Sequence, residues 1–183
     1  MEILRVIKER ASRRGLDFLV VGGHAVCSYG IDRQTGDLDL CVRRPDVDAW
    51  RALLADLGYV PYHEKEGFVQ LRPPEIGQWP VDLMVVDEAT FRGLMEDGRP
   101  VCFVDTTVQV PSVLHLIAMK LHALRSNPEH RERKDLDDVV SLIERQGLVI
   151  DDEGFRRLCA RFVTEEIYGK IRLSLARRSD LDG

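Results

Sequence analysis

Two aspartates separated by one residue, Asp37 and Asp39, stand in the stretch VVGGHAVCSYGIDRQTGDLDLCV that begins at Val20. Residues 37–42 alternate acid and apolar, the period of a strand. Both carboxylates then leave one face while Leu38 and Leu40 enter the core. Carboxylates forced together repel unless a cation lies between them. Hard oxygen ligands of this kind suit Mg²⁺, which keeps waters and shares its shell with phosphates. Asp-x-Asp alone also reads as a solvent-facing acidic edge, so its surroundings matter. Gly22 and Gly23 follow the apolar run 18–21 and precede an expected short helix, 24–29. Glycine lets backbone approach a ligand closely, and a helix amino terminus offers free N–H groups to an anion. A tight turn would explain one of the two glycines well and the pair less well. A third acid, Asp82, sits inside the apolar run PVDLMVV. Burying it is expensive without a partner or a metal. Two-metal phosphoryl transfer needs such a set of three. Asp87 competes for that role, but it ends the run and reads as a turn residue.

These acids need a scaffold. A helix is expected over 2–14, with Gly15 closing it. The all-apolar run 18–21 reads as a strand buried on both faces. A helix opened by Pro45 should run to Leu57, ahead of Gly58. Strands are expected over 59–62, 68–71 and 81–86, a helix over 88–95, and one or two strands in 101–110. The texture changes after Pro111. Residues 112–124 read as a helix with Leu114, Ile117, Ala118, Leu121 and Leu124 on one face. Residues 131–145 read as a second, with Leu136, Val139, Val140 and Ile143 inward. Two more helices are expected over 151–163 and 165–177. The fold class is α+β: a small mixed sheet flanked by helices over 1–110, then an all-helical part, 111–183, completing an active cleft between the two.

Composition sets outer bounds. The chain has 183 residues, 44% hydrophobic and 31% charged, with a formal net charge of −5. That is an ordinary globular composition, not a disordered one. Overall charge does not favour non-specific nucleic-acid binding. Local basic clusters stand near both termini and at 131–134, and such clusters are usually solvated helix faces. Cys27, Cys41, Cys102 and Cys159 have apolar neighbours and no Cys-x-x-Cys pairing, which fits reduced core thiols in a cytoplasmic protein. No secretory signal and no membrane-length apolar run is visible.

Gly-Gly, then Asp-x-Asp on the next strand, then a single Asp on a later strand, resembles the nucleotidyltransferase superfamily with the polymerase-beta-like fold. The run Gly22-Gly23-His24-Ala25…Tyr29…Arg33-x-Thr35-x-Asp37-Leu38-Asp39 is similar to its toxin-type AbiEii branch, tied to abortive infection and type IV toxin–antitoxin systems. The resemblance covers residues 18–140. It implies Mg²⁺, two ions, at Asp37 and Asp39 with Asp82 as third carboxylate and base. It implies an NTP as substrate with phosphate contacts at Gly22 and Gly23, and a cognate antitoxin as partner. Arg33 and Thr35 offer a cation and a hydroxyl to phosphate; an Arg33 ion pair with Asp32 or Asp37 is the other reading.

In that branch a helical Lys followed by Arg-x-Lys-Asp-x-x-Asp forms a second motif beside the nucleotide. Lys120, Arg131 or Arg133, Lys134, Asp135 and Asp138 match it. Lys120 and Lys134 then neutralise triphosphate charge; alternatively Lys120 and Asp135 make an interhelical salt bridge. His24 reads as a helix-start residue within reach of nucleotide, and Trp79 as a packing residue, with stacking on a base as the other reading. The expected reaction moves an NMP from an NTP to an acceptor hydroxyl on RNA, such as tRNA, or on protein, releasing pyrophosphate. A small-molecule transferase of aminoglycoside type and a non-catalytic nucleotide- or partner-binding protein are the alternatives. Intact Asp37, Asp39 and Asp82 weigh against the last.

Overall fold

The computed structural model describes residues 2–126 and 128–179, without the side chains of 126–132 and 179. Arg131, named above, therefore has its side chain outside the described set. The chain divides into two compact units, 1–28 with 32–112, and 29–31 with 113–183.

The first unit opens with α1 (Glu2–Arg13), which buries Leu4, Ile7 and Ala11 along one face. Gly15 ends it with φ +65°, a conformation glycine adopts without a Cβ clash. Next come β1 (Leu19–Val20), α2 (Gly22–Cys27) and β2 (Leu38–Arg43). A 3₁₀ turn at Arg44–Asp46 leads into α3 (Val47–Ala55). Pro45 thus opens a 3₁₀ turn and not the α-helix itself. Strands β3 (Val60–Lys65), β4 (Phe68–Arg72) and β5 (Val81–Val86) follow, then α4 (Glu88–Glu96), β6 (Arg99–Phe103) and β7 (Thr106–Val110).

The seven strands form one mixed sheet in the order β3-β4-β5-β2-β1-β7-β6. β2 runs parallel to β5 and β1 parallel to β7; the other neighbours are antiparallel. The centre is the most apolar part: Leu19, Val20, Leu38, Leu40, Val81 and Leu83 are fully buried. Each such side chain contributes about 1.5–3 kcal/mol relative to exposure. Trp50 of α3 is also fully buried and meets the Phe18 ring edge-on at 5.5 Å. The outer strand β3 is exposed along its whole length, and carries Pro61 and a register irregularity beside it. Proline and irregular register both blunt an open sheet edge.

The second unit holds α5 (Val113–Ser126), α6 (Pro128–Gln146), α7 (Glu153–Phe162) and α8 (Glu165–Ser179). Its core joins Leu116, Ile117, Leu121 and Leu124 of α5 to Val139, Val140, Leu142 and Ile143 of α6. Phe155 and Cys159 of α7 and Ile171 of α8 complete it. Asp152 caps α7 by accepting from the Gly154 and Phe155 N–H groups. Among the described residues no helix is long and apolar enough to cross a membrane.

The architecture is the expected α+β one, with a helical carboxy-terminal part. Three local expectations need correction. Gly22 and Gly23 lie inside the first turn of α2 and not ahead of it. Leu114, placed on the apolar face of its helix, is 47% exposed. Only Cys41 and Cys159 are core thiols; Cys27 is half-buried and Cys102 exposed on an edge strand. Burial pushes the Cys41 thiol up to about 12 and the Cys159 thiol up to about 11.

Candidate active site

Three strands and one turn converge at the carboxylates. Asp39 lies in β2, half-buried, between fully buried Leu38 and Leu40. Asp37 stands just ahead of β2, where Leu38 N–H donates to the Pro80 carbonyl at 2.9 Å and holds the two chain segments together. Asp82 lies in β5 and is 3% exposed. The parallel pairing of β2 and β5 sets Asp39 directly opposite Asp82. One carboxylate oxygen from each of Asp37, Asp39 and Asp82 comes within 4.8 Å of the others. Like charges at that spacing are unfavourable without compensation. An all-oxygen, all-anionic donor set matches a hard divalent cation, so the residues present fit the metal that the motif implies.

The glycines make this approach possible. Gly22 has φ +59°, and a Cβ there would lie 1.8 Å from Asp39 Oδ2. A Cβ on Gly23 would lie 2.1 Å from Arg33 Nη1 and 2.4 Å from Thr35 Oγ1. Any side chain at these positions would occupy the space that Asp39, Arg33 and Thr35 now fill. The Thr35 hydroxyl donates to Asp37 Oδ1 at 3.1 Å, so it steadies the first acid. Cys27 Sγ donates to the Arg33 carbonyl at 3.3 Å and ties that loop back to α2. An open cavity of about 570 Å³ lies here, lined by His24, Cys27, Arg33, Gln34, Thr35 and Gly36. Gly23→Val is expected to displace Arg33 and Thr35 and to raise the dissociation constant for ATP by at least roughly tenfold, the loss of one charge-assisted contact. Isothermal titration on a variant with a wild-type melting curve checks this; unchanged affinity would leave the glycines a purely local backbone role.

His24 is 6% exposed. Its ring stacks on Trp79 at 4.6 Å and meets Phe103 edge-on at 6.1 Å. Burial holds its pKa below the ordinary histidine value, against the opposing pull of the Asp37 charge and of a hydrogen bond to the Asp37 backbone. It therefore packs Trp79 and the start of β2 together, and Trp79 has the packing role expected of it. Asp87, the rival third acid, lies apart from the cluster as the N-cap of α4. It accepts from the Thr90 N–H at 2.9 Å, which holds its carboxyl below the usual range.

The sequence pattern of the family described as "Nucleotidyl transferase AbiEii toxin, Type IV TA system" matches residues 7–182. The chain belongs to this family. Nucleotidyl transfer of the AbiEii type is thus its activity class. No curated protein matches the sequence. Among solved structures, ANT(2")-Ia in complex with adenylyl-2"-tobramycin is similar in fold, with a TM-score of 0.66 at 19% identity over 88% of this chain and 95% of that one. An antigenic nucleotidyltransferase-like protein from Paracoccidioides brasiliensis is similar at TM-score 0.58 and 16% identity, over 99% of this chain and 89% of that one. The lincosamide antibiotic adenylyltransferase LnuA, lincomycin-bound, gives TM-score 0.55 and 14% identity over 78% of this chain and 97% of that one. At these identities the likeness speaks for the fold.

The AbiEii-type motif of the helical unit has its own geometry. Lys120 of α5 is 8% exposed, and its Nζ lies 2.7 Å from both Asp135 Oδ1 and Asp138 Oδ2 of α6. Both acids are buried as well. The Lys120 ammonium is thus engaged by two buried carboxylates. Lys134 and Arg133 are exposed on the same helix.

One residue of the carboxylate site escaped sequence reasoning. Gln70 of β4 donates from Nε2 to Asp82 Oδ2 at 2.8 Å. The alternation of β4 puts Gln70 on the face opposite buried Val69 and Leu71. Nothing in the sequence shows that this face meets Asp82, because the contact depends on the β4–β5 register.

Proposed function

We propose that this chain is a Mg²⁺-dependent transferase that moves an NMP from an NTP to an acceptor hydroxyl on RNA or protein in the cytoplasm. The observation that carries the reading is the convergence of Asp37, Asp39 and Asp82 beside two glycines that admit no side chain. Asp37, Asp39 and Asp82 would hold the divalent cation, two ions when fully loaded. Bound there, it supplies Lewis acidity toward the phosphoryl oxygens and the attacking hydroxyl.

The protein's own part is positioning. Arg33 and the backbone at Gly22 and Gly23 take the phosphate chain, while Thr35 fixes Asp37. The acceptor oxygen bonds to the α-phosphorus, and the bond from that phosphorus to the leaving pyrophosphate breaks in line with it. Asp82 takes the acceptor's proton. The buried contacts of Lys120 with Asp135 and Asp138 support the interhelical bridge as the role of Lys120 and Asp135. The type IV toxin description of the family supports an antitoxin partner.

A second reading, transfer to a small hydroxylated molecule, is favoured by the neighbours solved with adenylyl-2"-tobramycin and with lincomycin. One experiment separates the two. The protein is incubated with each α-labelled NTP and Mg²⁺, together with cell extract or with purified aminoglycosides and lincosamides. Label in the RNA or protein fraction is expected. Label confined to the antibiotics would select the second reading, and no label with any NTP would sink both.

A further inference from the structure

We infer that Gln70 is the positioning residue of the third carboxylate. Its amide sets the plane of the Asp82 side chain and so the affinity of the acid cluster for a divalent cation. The inference rests on the reading of Asp82 as a metal-holding acid.

The register carries it. Asp39 pairs with Asp82 across β2 and β5, and Gln70 pairs with Asp82 across β4 and β5. The three residues form one row across the sheet, with Asp82 in the middle. Side chains paired in this way stand close enough to touch. Asp82 meets a carboxylate on one side and an amide on the other. The amide must present its NH₂ group to Asp82, since its oxygen would face a carboxylate oxygen with no proton between them. The resulting bond is 2.8 Å long, and to an Asp82 ionised for a cation it belongs to the stronger class of hydrogen bond.

Gln70 is itself held. Val69 and Leu71, its chain neighbours, are 2% and 0% exposed and anchor β4 in the core. The amide is thus delivered by a strand that cannot slide without moving two buried side chains to solvent. An aspartate with its carboxylate plane fixed before a cation arrives loses less freedom on binding. Partners of this kind, one step removed from a metal, command roughly 10–100-fold in affinity. A Gln that served only strand packing would leave cation affinity untouched when replaced by an apolar residue of similar size.

The test uses the full chain and Mn²⁺ as probe, without nucleotide. Mn²⁺ affinity is read by electron paramagnetic resonance, ATP affinity without metal by titration calorimetry, and folding by thermal melt. Gln70→Met is compared with wild type and with Asp82→Asn; Gln70→Leu replaces Gln70→Met if the latter melts non-cooperatively. The expected result has three parts. Asp82→Asn loses Mn²⁺ binding. Gln70→Met melts like wild type and binds Mn²⁺ about tenfold more weakly. Its metal-free ATP affinity stays within about twofold of wild type, because an amide that acts only on Asp82 does not touch the phosphates. If Asp82→Asn loses Mn²⁺ while Gln70→Met binds it like wild type, the inference about Gln70 is overturned and the reading of Asp82 survives. If Asp82→Asn still binds Mn²⁺ normally, the reading of Asp82 falls and takes this inference with it.

Discussion

Asp82→Asn, like Asp37→Ala and Asp39→Ala, is expected to reduce nucleotidyl transfer by more than roughly a hundredfold while the protein stays folded. Residues one step removed from a metal already command up to about that factor, and a ligand itself commands more. The fold should survive because the three acids repel one another in the absence of a cation. Removing any one charge relieves that repulsion. In chelator, therefore, each variant should melt at or above the wild-type temperature. Addition of Mg²⁺ or Mn²⁺ should raise the wild-type melting temperature and leave the variants where they were, since only a native state with an intact site gains from binding. The pair of measurements is a labelled-NTP transfer assay and a melt with and without metal. Full transfer in any of the three variants would end the reading of these acids as a metal-holding set. A wild-type melt indifferent to both metals would do the same.

The second large effect is in the helical unit. Lys120→Met should lower the melting temperature on the order of 10 °C, a loss of roughly 3–5 kcal/mol. At an exposed site such a bridge is worth at most about 1 kcal/mol. The structure moves it to another regime, because Lys120 is 8% exposed and lies between two buried carboxylates. Removing the ammonium takes away the cation that lies between two buried carboxylates. Asp135→Asn should cost much less, since it keeps the Lys120–Asp138 ion pair. That asymmetry is the signature of a structural lock. ATP affinity of Lys120→Met, measured below its melting transition, should stay close to wild type. A normal melt combined with a 10–100-fold loss of ATP affinity, the size of a lost charge-assisted contact, would return Lys120 to the triphosphate.

Val81–Val86 was legible to the residue, because an apolar run bounded by Pro80 and Asp87 has one interpretation. The Gly-Gly and Asp-x-Asp pattern pointed to the segments that the fold brings together with Asp82, because each residue type there is forced by close approach or by charge. The bounds of β3 were not legible: Val60–Lys65 is wholly exposed and carries no alternation to read. Lys120 was ambiguous for a physical reason. A lysine in an apolar run is either a snorkelling surface residue or a buried one with partners, and only the packing of α5 on α6 decides. Gln70 and His24 lay further out of reach. Both act through cross-strand or ring contacts between segments distant in the chain, and a single sequence carries no register information of that kind.

The acid cluster assembles in an order set by synthesis. Asp37 and Asp39 emerge from the ribosome well before Asp82, with α3 and the β3–β4 hairpin synthesised in between. The three acids cannot meet until Val86 is out and β5 has entered the sheet between β4 and β2. Parallel, non-local pairing of this sort closes a long loop before any contact repays it, so it is a late event in folding. A nascent chain, or a product truncated before Val81, carries two of the acids and no third. On the reading proposed for these acids, a product ending before Val81 lacks a complete metal-holding set, and the set first assembles when β5 joins β2.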